Sequence, residues 1–477
     1  MLTLAEVLEA TQGEVRGARV SERLERMRFS RVVVDSRHIP AGALFVALKG
    51  QKHDGHAFVA QALAQGAAGA LVERVPADCA WALDADADAD GPPLIVVPST
   101  EAALQRMARY ALDRQPNLDV VGITGSIGKT TTKEVVAGTL SARRRVLKSE
   151  GNLNSEIGLP MTVLNGLEVG RHSHDIAVLE MAMYQVGDIQ LLARLARPRI
   201  GVVTAVLPVH LERLGTIERI QQAKQELVEE LPANGVAVLN ADDPRVAQMA
   251  GATAARVVRY GVSENANVRA EAIQSRGLRG VEFDLLHGGQ RRRVHLPLLG
   301  AHSVHAALAA TAVALEEGLS LTEVAEALHG LSPTLRLLVV DGINGSRIID
   351  DSYNASPESV LAALNLLREL PGRRKIGVLG DMLELGSEEE PGHRRVGNRA
   401  GAVLDVLIAF GPRSAITAEE ARRSGLSHDQ VFEPSSHDEI VELLRTHLRP
   451  GDDVLVKGSL AMGMSTVVRA VRAQGEG

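Results

Sequence analysis

The sequence predicts an α/β protein in three parts: a small α/β N-terminal unit, a central phosphate-loop unit with a mostly parallel sheet, and a C-terminal doubly wound unit of Rossmann-like shape. Three observations lead there. From about Ser99 onward, apolar runs of strand length alternate with helical patterns. The apolar run at Val120 passes directly into the glycine-punctuated loop Thr124-Gly-Ser-Ile-Gly-Lys-Thr-Thr131 and on into a helix. A chain of 477 residues also exceeds what one apolar core holds, and ordinary domain size suggests about three. The expected divisions are 1–98, 99–332 and 333–477.

Composition excludes several classes. With 52 basic and 59 acidic residues, the chain has no basic footprint for nucleic acid or an anionic membrane, so phosphate ligands need local sites. Aromatic residues make up only 2%, which argues against base stacking and leaves the cores to Leu, Val, Ile and Ala. One cysteine, Cys79, cannot form a disulfide within the chain and suits a reducing cytosol. The start MLTLAEVLEATQGE lacks the basic and apolar regions of a secretion signal, and apolar runs such as Ile200 to Val209 fall short of the ~20 residues that span a bilayer. A cytoplasmic monomer is expected, with no membrane insertion and no nucleic-acid partner.

In chain order, a short amphipathic helix precedes a strand at Arg31 to Arg37. A turn-and-strand segment follows at Pro40 to Gly50, then Asp54-Gly-His56 and an Ala-rich helix. Asp84 to Asp90 alternates Ala and Asp and reads as a solvated loop, with Leu94 to Val97 closing the first unit. A helix from Ser99 leads to the phosphate loop. Strands at Ile176 to Glu180, Ile200 to Leu207 and Gly235 to Asn240 flank a helix at Thr216 to Leu231. Asn267 to Leu298 reads as β-rich, with turns at Gly277, Gly280 and Gly288-Gly289, before helices from His302 to Gly318 and on to Leu331. In the third unit, strands are expected at Leu337 to Val340, Arg347 to Asp350, Lys375 to Leu379, Val406 to Phe410 and Asp453 to Val456. No Gly-x-Gly-x-x-Gly fingerprint and no fixed-period repeat accompanies them.

The loop supplies the first chemistry. Gly125 and Gly128 permit backbone angles that turn successive N–H groups onto one anion. Lys129 adds charge, and Thr130 places a hydroxyl for Mg²⁺ at the start of a helix whose dipole favours phosphate. Glu180 ends one apolar run and His210 follows another, where ligands of a parallel sheet collect; Glu180 is equally compatible with a strand-end acid facing solvent, and a single histidine placed like His210 is more often a hydrogen-bonded loop residue. Lys224 falls on the apolar face marked by Ile217, Ile220, Leu227, Val228 and Leu231. A desolvated lysine there has a lowered pKa and can attack carbon dioxide; the alternative is a side chain that snorkels to solvent. Gly151 to Pro160 suits a plain turn as well as a site. Asp350-Asp351 could bind ribose hydroxyls or cap the helix that Asn354, Ser356 and Pro357 open, and Lys457-Gly-Ser459 could meet a phosphate or carboxylate.

Together these segments resemble the Mur ligase family, ATP-dependent amide-forming enzymes of peptidoglycan synthesis, and within it the branch that adds D-alanyl-D-alanine. The resemblance runs nearly end to end. It rests on Asp35-Ser-Arg37, Asp54-Gly-His56, Thr124 to Thr131, Gly151 to Pro160, Glu180-Met181, His210-Leu-Glu212, Ala223-Lys224, Asp350 to Pro357, Gly380-Asp-Met-Leu-Glu-Leu-Gly386 and Val456 to Ser459. It implies a ligase that activates UDP-N-acetylmuramoyl-tripeptide with ATP as an acyl phosphate and joins it to D-alanyl-D-alanine. Thr124, Gly125, Ser126, Ile127, Gly128, Lys129, Thr130 and Thr131 would hold the phosphates, with His302, Arg336 and Asp351 also at the nucleotide. Ser36, Arg37, Asn154, Asn354 and Lys457 would serve the other substrates. Thr130, Glu180, His210 and a carbamylated Lys224 would hold Mg²⁺. Departures from the family pattern occur at Ala205, Leu207-Pro208-Val209, Ser303 and His305 within His302-Ser-Val-His-Ala-Ala-Leu308, Leu460, Leu335 and Ala182. A related ligase with another amino donor is the nearest alternative. From a different class, a pseudoligase acting through partners would rest on Ala205 and Leu460, against the retained Lys129, Thr130, Glu180, His210 and Lys224.

Overall fold

The computed structural model describes residues 2–18, 22–50, 53–82, 90–168, 173–332 and 338–473. The acidic segment Asp84 to Asp90 therefore lies almost wholly outside the described residues, as does Arg336. The described residues form a mixed α/β fold built on three sheets.

The first sheet contains β1 (Glu14–Ala18), β2 (Val32–Val33), β3 (Leu44–Val46), β4 (Gly69–Val72) and β5 (Asp90–Val96), in the order β1-β5-β4-β3-β2. All neighbours are parallel except β1 with β5. The expected strand at Arg31 to Arg37 shrinks to two residues, because Asp35 turns back to accept the backbone N–H of Arg37 at 3.0 Å. The opening helix Leu4–Thr11 begins in a capping box in which Thr3 and Glu6 satisfy each other's backbone N–H groups.

The second sheet holds β6 (Asp119–Thr124), β7 (Val146–Lys148), β8 (Ile176–Glu180), β9 (Ile200–Val203), β10 (Val236–Asn240), β11 (Arg256–Gly261), β12 (Val268–Ser275), β13 (Val281–His287) and β14 (Gln290–Leu296). Its order is β14-β13-β12-β11-β10-β9-β6-β8-β7, parallel from β7 to β12 and antiparallel from β12 to β14. Its inner parallel strands β6, β8, β9 and β10 are buried on both faces: β6 rests on the helix Lys129–Leu140 on one side and on Ile217–Glu229 on the other. β9 stops at Val203, short of the expected Leu207. From Thr204 onward the backbone is committed to the phosphate loop rather than to the sheet.

The third sheet contains β15 (Leu338–Asp341), β16 (Arg347–Asp351), β17 (Lys375–Gly380), β18 (Val406–Phe410), β19 (Val431–Phe432) and β20 (Asp453–Lys457). It is ordered β15-β16-β20-β17-β18-β19 and parallel apart from the β15 edge. Helices cover both faces, which gives the doubly wound form.

The cores do not divide as evenly as the sheets. One apolar cluster runs from Leu4, Val32 and Val46 through Met107 and Leu164 to Leu179 and Leu227, joining the first unit to one face of the central sheet. The third unit keeps its own clusters, into which Leu299 of the central unit inserts. Asn165 adds a polar tie within the first junction: its side chain accepts from Val32 N at 2.9 Å and donates to Val32 O at 3.0 Å. Asn165→Ala orphans both groups and should destabilise the junction by about 1–3 kcal/mol. Urea unfolding checks this, and a midpoint equal to the wild type would refute it.

Candidate active site

The phosphate loop leaves β6 in the middle of the central sheet, where the carboxyl ends of β8, β9 and β10 also open. Gly125 has φ +148° and Gly128 +81°, both in the region that favours glycine. A Cβ on Gly125 would lie 1.8 Å from Thr204 Oγ1, so the close approach of the two loops also requires glycine. The helix Lys129–Leu140 starts with no side-chain cap on Gly128, which leaves its first N–H groups for an anion. Lys129 Nζ donates to the Gly125 carbonyl at 2.7 Å, beside those amides.

Side chains around the loop fix its shape. Thr124 Oγ1 donates to Met181 O at 2.9 Å after β8, and Ser126 Oγ donates to Leu207 O at 3.0 Å. Ser126 N donates to Ala205 O at 2.7 Å, and Thr204 Oγ1 to Ile127 O at 2.6 Å. Because Ala205 contributes its carbonyl, its departure in side chain leaves this tie intact. Thr131 lines the neighbouring cavity.

Glu180 ends β8 almost fully buried. Thr130 Oγ1 donates to its Oε2 at 2.9 Å and Asn154 Nδ2 to its Oε1 at 2.9 Å, while Ser149 Oγ accepts Glu180 N at 3.2 Å. The structure thus places Asn154 on the Glu180 carboxylate. His210, on the loop between β9 and the helix Leu211–Leu214, has φ +59° and its Nδ1 lies 2.5 Å from Glu384 Oε2 of the third unit. Burial holds its pKa below the ordinary value, opposed by Glu384 and aided by the charges of Lys129 and Lys224.

Lys224 is buried within the helix Ile217–Glu229, as its place on the apolar face predicts. Burial, then the charge of Lys129, hold its pKa well below the ordinary lysine value. No carboxylate among the described residues pairs with it. Both causes push the amine away from the cation of an ordinary lysine and toward the uncharged, nucleophilic form.

A cavity of about 290 Å³ extends from Gly128 and Thr131 between the central and third units. Its walls include Tyr260, Leu298, Leu299, His302, Ala306 and Asp351. Asp351 accepts from Lys457 Nζ at 2.6 Å, and that buried amine also donates to the Asn354 carbonyl at 2.7 Å. Lys457 thus braces the Asp351 to Asn354 turn rather than standing open to a substrate, and the Asn354 side chain is bonded to Ala355 N. Ser36 and Arg37 lie on the loop after β2 in the first unit; Arg37 is exposed and forks onto Asp35, which its guanidinium holds well below the usual carboxylate range.

Among the described residues no three His, Cys, Asp or Glu side chains form a ready metal cluster. The donors present are a threonine hydroxyl, a buried carboxylate and one imidazole beside an anion-binding loop. Such a set fits Mg²⁺, a hard ion that keeps few protein ligands and takes others from phosphate. Sequence reasoning named Thr130, Glu180 and Asn154 but not the hydrogen bonds that join them, and it missed Glu384, whose only signal was its place in the otherwise unassigned motif Gly380 to Gly386.

Gly125→Ala should lower ATP affinity by at least tenfold, since its Cβ must displace Thr204 from the loop. Calorimetric titration with ATP measures it; unchanged affinity would contradict the close-packed loop.

Comparison with known proteins supplies the family. Residues 28–111 match the model for the Mur ligase family, catalytic domain, residues 123–314 the Mur ligase middle domain, and residues 335–460 the Mur ligase, glutamate ligase domain. A UDP-N-acetylmuramoyl-tripeptide--D-alanyl-D-alanine ligase of Mycobacterium tuberculosis (strain CDC 1551 / Oshkosh) is 37% identical, covering 99% of this chain and 98% of the relative. The similarly named ligase of Bacillus subtilis (strain 168) is 34% identical, with 95% and 96% covered. Among solved structures, MurF from Acinetobacter baumannii superposes with a TM-score of 0.83 at 30% identity, covering 98% of both chains. MurF ligase from Thermotoga maritima in complex with ADP gives 0.76 at 30% identity, over 92% of this chain and 96% of that one. With three family models in succession and relatives of this identity along its whole length, the chain belongs to the Mur ligase family.

Proposed function

We propose that this chain is an ATP-dependent ligase that joins D-alanyl-D-alanine to UDP-N-acetylmuramoyl-tripeptide in the synthesis of peptidoglycan precursors. The observation that carries the reading is the convergence of the phosphate loop, buried Glu180 and buried Lys224 in a chain matched end to end by ligases named for that reaction.

The chemistry follows from the site. A carboxylate does not react with an amine until one of its oxygens becomes a leaving group. The tripeptide carboxylate attacks the γ-phosphorus of ATP, the bond to the bridging oxygen breaks, and ADP leaves with an acyl phosphate formed. Lys129 and the loop N–H groups neutralise charge that gathers on the transferring phosphoryl group. The dipeptide amine then attacks the acyl carbon, phosphate departs with the electron pair, and the nitrogen loses its proton. Mg²⁺, when bound, supplies positive charge to the phosphoryl oxygens. Thr130, Glu180, His210 and a carbamylated Lys224 would hold it. Carbamylation joins the uncharged form of the Lys224 nitrogen, which burial and the Lys129 charge favour, to carbon dioxide with loss of a proton, replacing a buried amine by an anion near Lys129.

In this reading residues 1–98 grip the UDP end through the region of Ser36 and Arg37, 99–332 bind ATP, and 333–477 close over the nucleotide with Asp351 and Arg336. Closure excludes water from the acyl phosphate. His302 lines the cavity where the base would lie. In this reading the chain works in the cytoplasm, where ATP and a nucleotide-linked precursor are at hand, and as a monomer. No helix among the described residues is long and apolar enough to cross a membrane.

The test is an assay with ATP, Mg²⁺, UDP-N-acetylmuramoyl-tripeptide and a panel of amines, scored for phosphate and amide. D-alanyl-D-alanine should be the preferred donor; ATP binding without amide formation from any donor would sink the reading. Lys224→Ala should abolish turnover and remove a carbamate carbon resonance from protein equilibrated with ¹³C-bicarbonate. Wild-type turnover in that variant would remove the carbamate role.

A further inference from the structure

The motif Gly380 to Gly386 has no part in the chemistry above, yet it reaches that site. Glu384 is brought from the third unit onto His210 of the central unit: Glu384 Oε2 lies 2.5 Å from His210 Nδ1, and its Oε1 3.3 Å from Arg213 Nη2. Tyr184, from the loop after β8, closes the group, its ring 6.3 Å from the imidazole in an edge-on contact and 4.8 Å from the Arg213 guanidinium. Both principal partners hold unusual backbone, His210 at φ +59° and Glu384 at +64°. Non-glycine residues adopt such angles where surrounding structure demands it. The approach is close as well: a Cβ on Gly386, itself at φ +55°, would sit 3.1 Å from Glu212 N.

The donor and acceptor roles have a consequence. An ionised carboxylate only accepts, so the His210 Nδ1 carries the proton and the lone pair is left on Nε2. A carboxylate behind a histidine in this way fixes both its ring orientation and its tautomer for a metal on the other nitrogen. We propose that Glu384 is a positioning residue, supplied by the third unit, that holds His210 ready for Mg²⁺, so that the metal site is complete only when that unit is docked. This rests on the reading of His210 as a metal ligand given above. It would link phosphoryl transfer to closure and limit ATP hydrolysis while the unit is away from the site.

The experiment uses the full chain with Mn²⁺ as the probe, its free concentration read by electron paramagnetic resonance in the presence of ADP. Glu384→Ala should weaken Mn²⁺ binding and raise the Mg²⁺ concentration for half-maximal rate, each by about tenfold. It should lower kcat while leaving the KM for ATP within about twofold of the wild type. Glu384→Gln keeps an acceptor for Nδ1–H and should recover most of the Mn²⁺ affinity, which a merely structural contact would not require. Glu384→Asn, suited to the positive φ, serves if the alanine variant does not fold. His210→Ala sets the baseline, and the double variant should bind Mn²⁺ no more weakly than His210→Ala alone. Wild-type affinity in Glu384→Ala, alongside loss in His210→Ala, would overturn the positioning role and leave the metal reading standing. Wild-type affinity in both would overturn both. Mn²⁺ binding needs no amino donor, so a failure of the ligase reading shows separately, as coupled metal binding without amide formation.

Discussion

The site depends on one constraint: two loops at the carboxyl edge of the central sheet must lie closer than side chains ordinarily permit. The loop after β6 and the loop after β9 share hydrogen bonds in both directions, through Ser126, Ile127, Thr204, Ala205 and Leu207. Gly125 exists in that arrangement because Thr204 occupies the space of its missing side chain. Once the loops are locked, the amides at the start of the helix Lys129–Leu140 face a common point without needing a ligand to shape them. Preorganisation of this kind is where an enzyme gains most from fixed dipoles, since no reorganisation remains to be done when charge develops.

Charge around this point is unbalanced in a way that suits an anionic substrate. Lys129 and Lys224 act on each other and on His210, while the buried Glu180 is already shared between Thr130 and Asn154. A polyphosphate entering this region meets cations and donors whose own desolvation has already been borne by folding. Burial and the charge of Lys129 both act against the cationic form of Lys224, which an anionic ligand nearby would favour.

Much of this was legible from residues alone, for identifiable reasons. The strands Ile176–Glu180 and Val406–Phe410 appear with the bounds their apolar runs suggest, since each is buried on both faces and nothing competes for its backbone. The burial of Lys224 followed from helical periodicity, a local property. The shortened β9 did not, because its last expected residues trade sheet pairing for bonds to a loop about eighty positions earlier. Lys457 reads from its neighbours as a ligand-facing residue, yet its amine is consumed by Asp351, a partner 106 positions away. Glu384 lay in a motif that resemblance marked and local chemistry left unexplained, since its partner belongs to another unit.

The apolar cluster that joins the first sheet to one face of the central sheet has a further meaning. Helix Thr100–Asp113 and the residues of Gly158–Gly166 contribute to it from the middle, so neither unit can expose its inner face without opening the other's core. Opening either of the two therefore costs both their buried surface, whereas the third unit keeps clusters of its own that the central unit enters through Leu299. The boundary that matters mechanically therefore comes after the central unit, and the groove for the nucleotide lies along it.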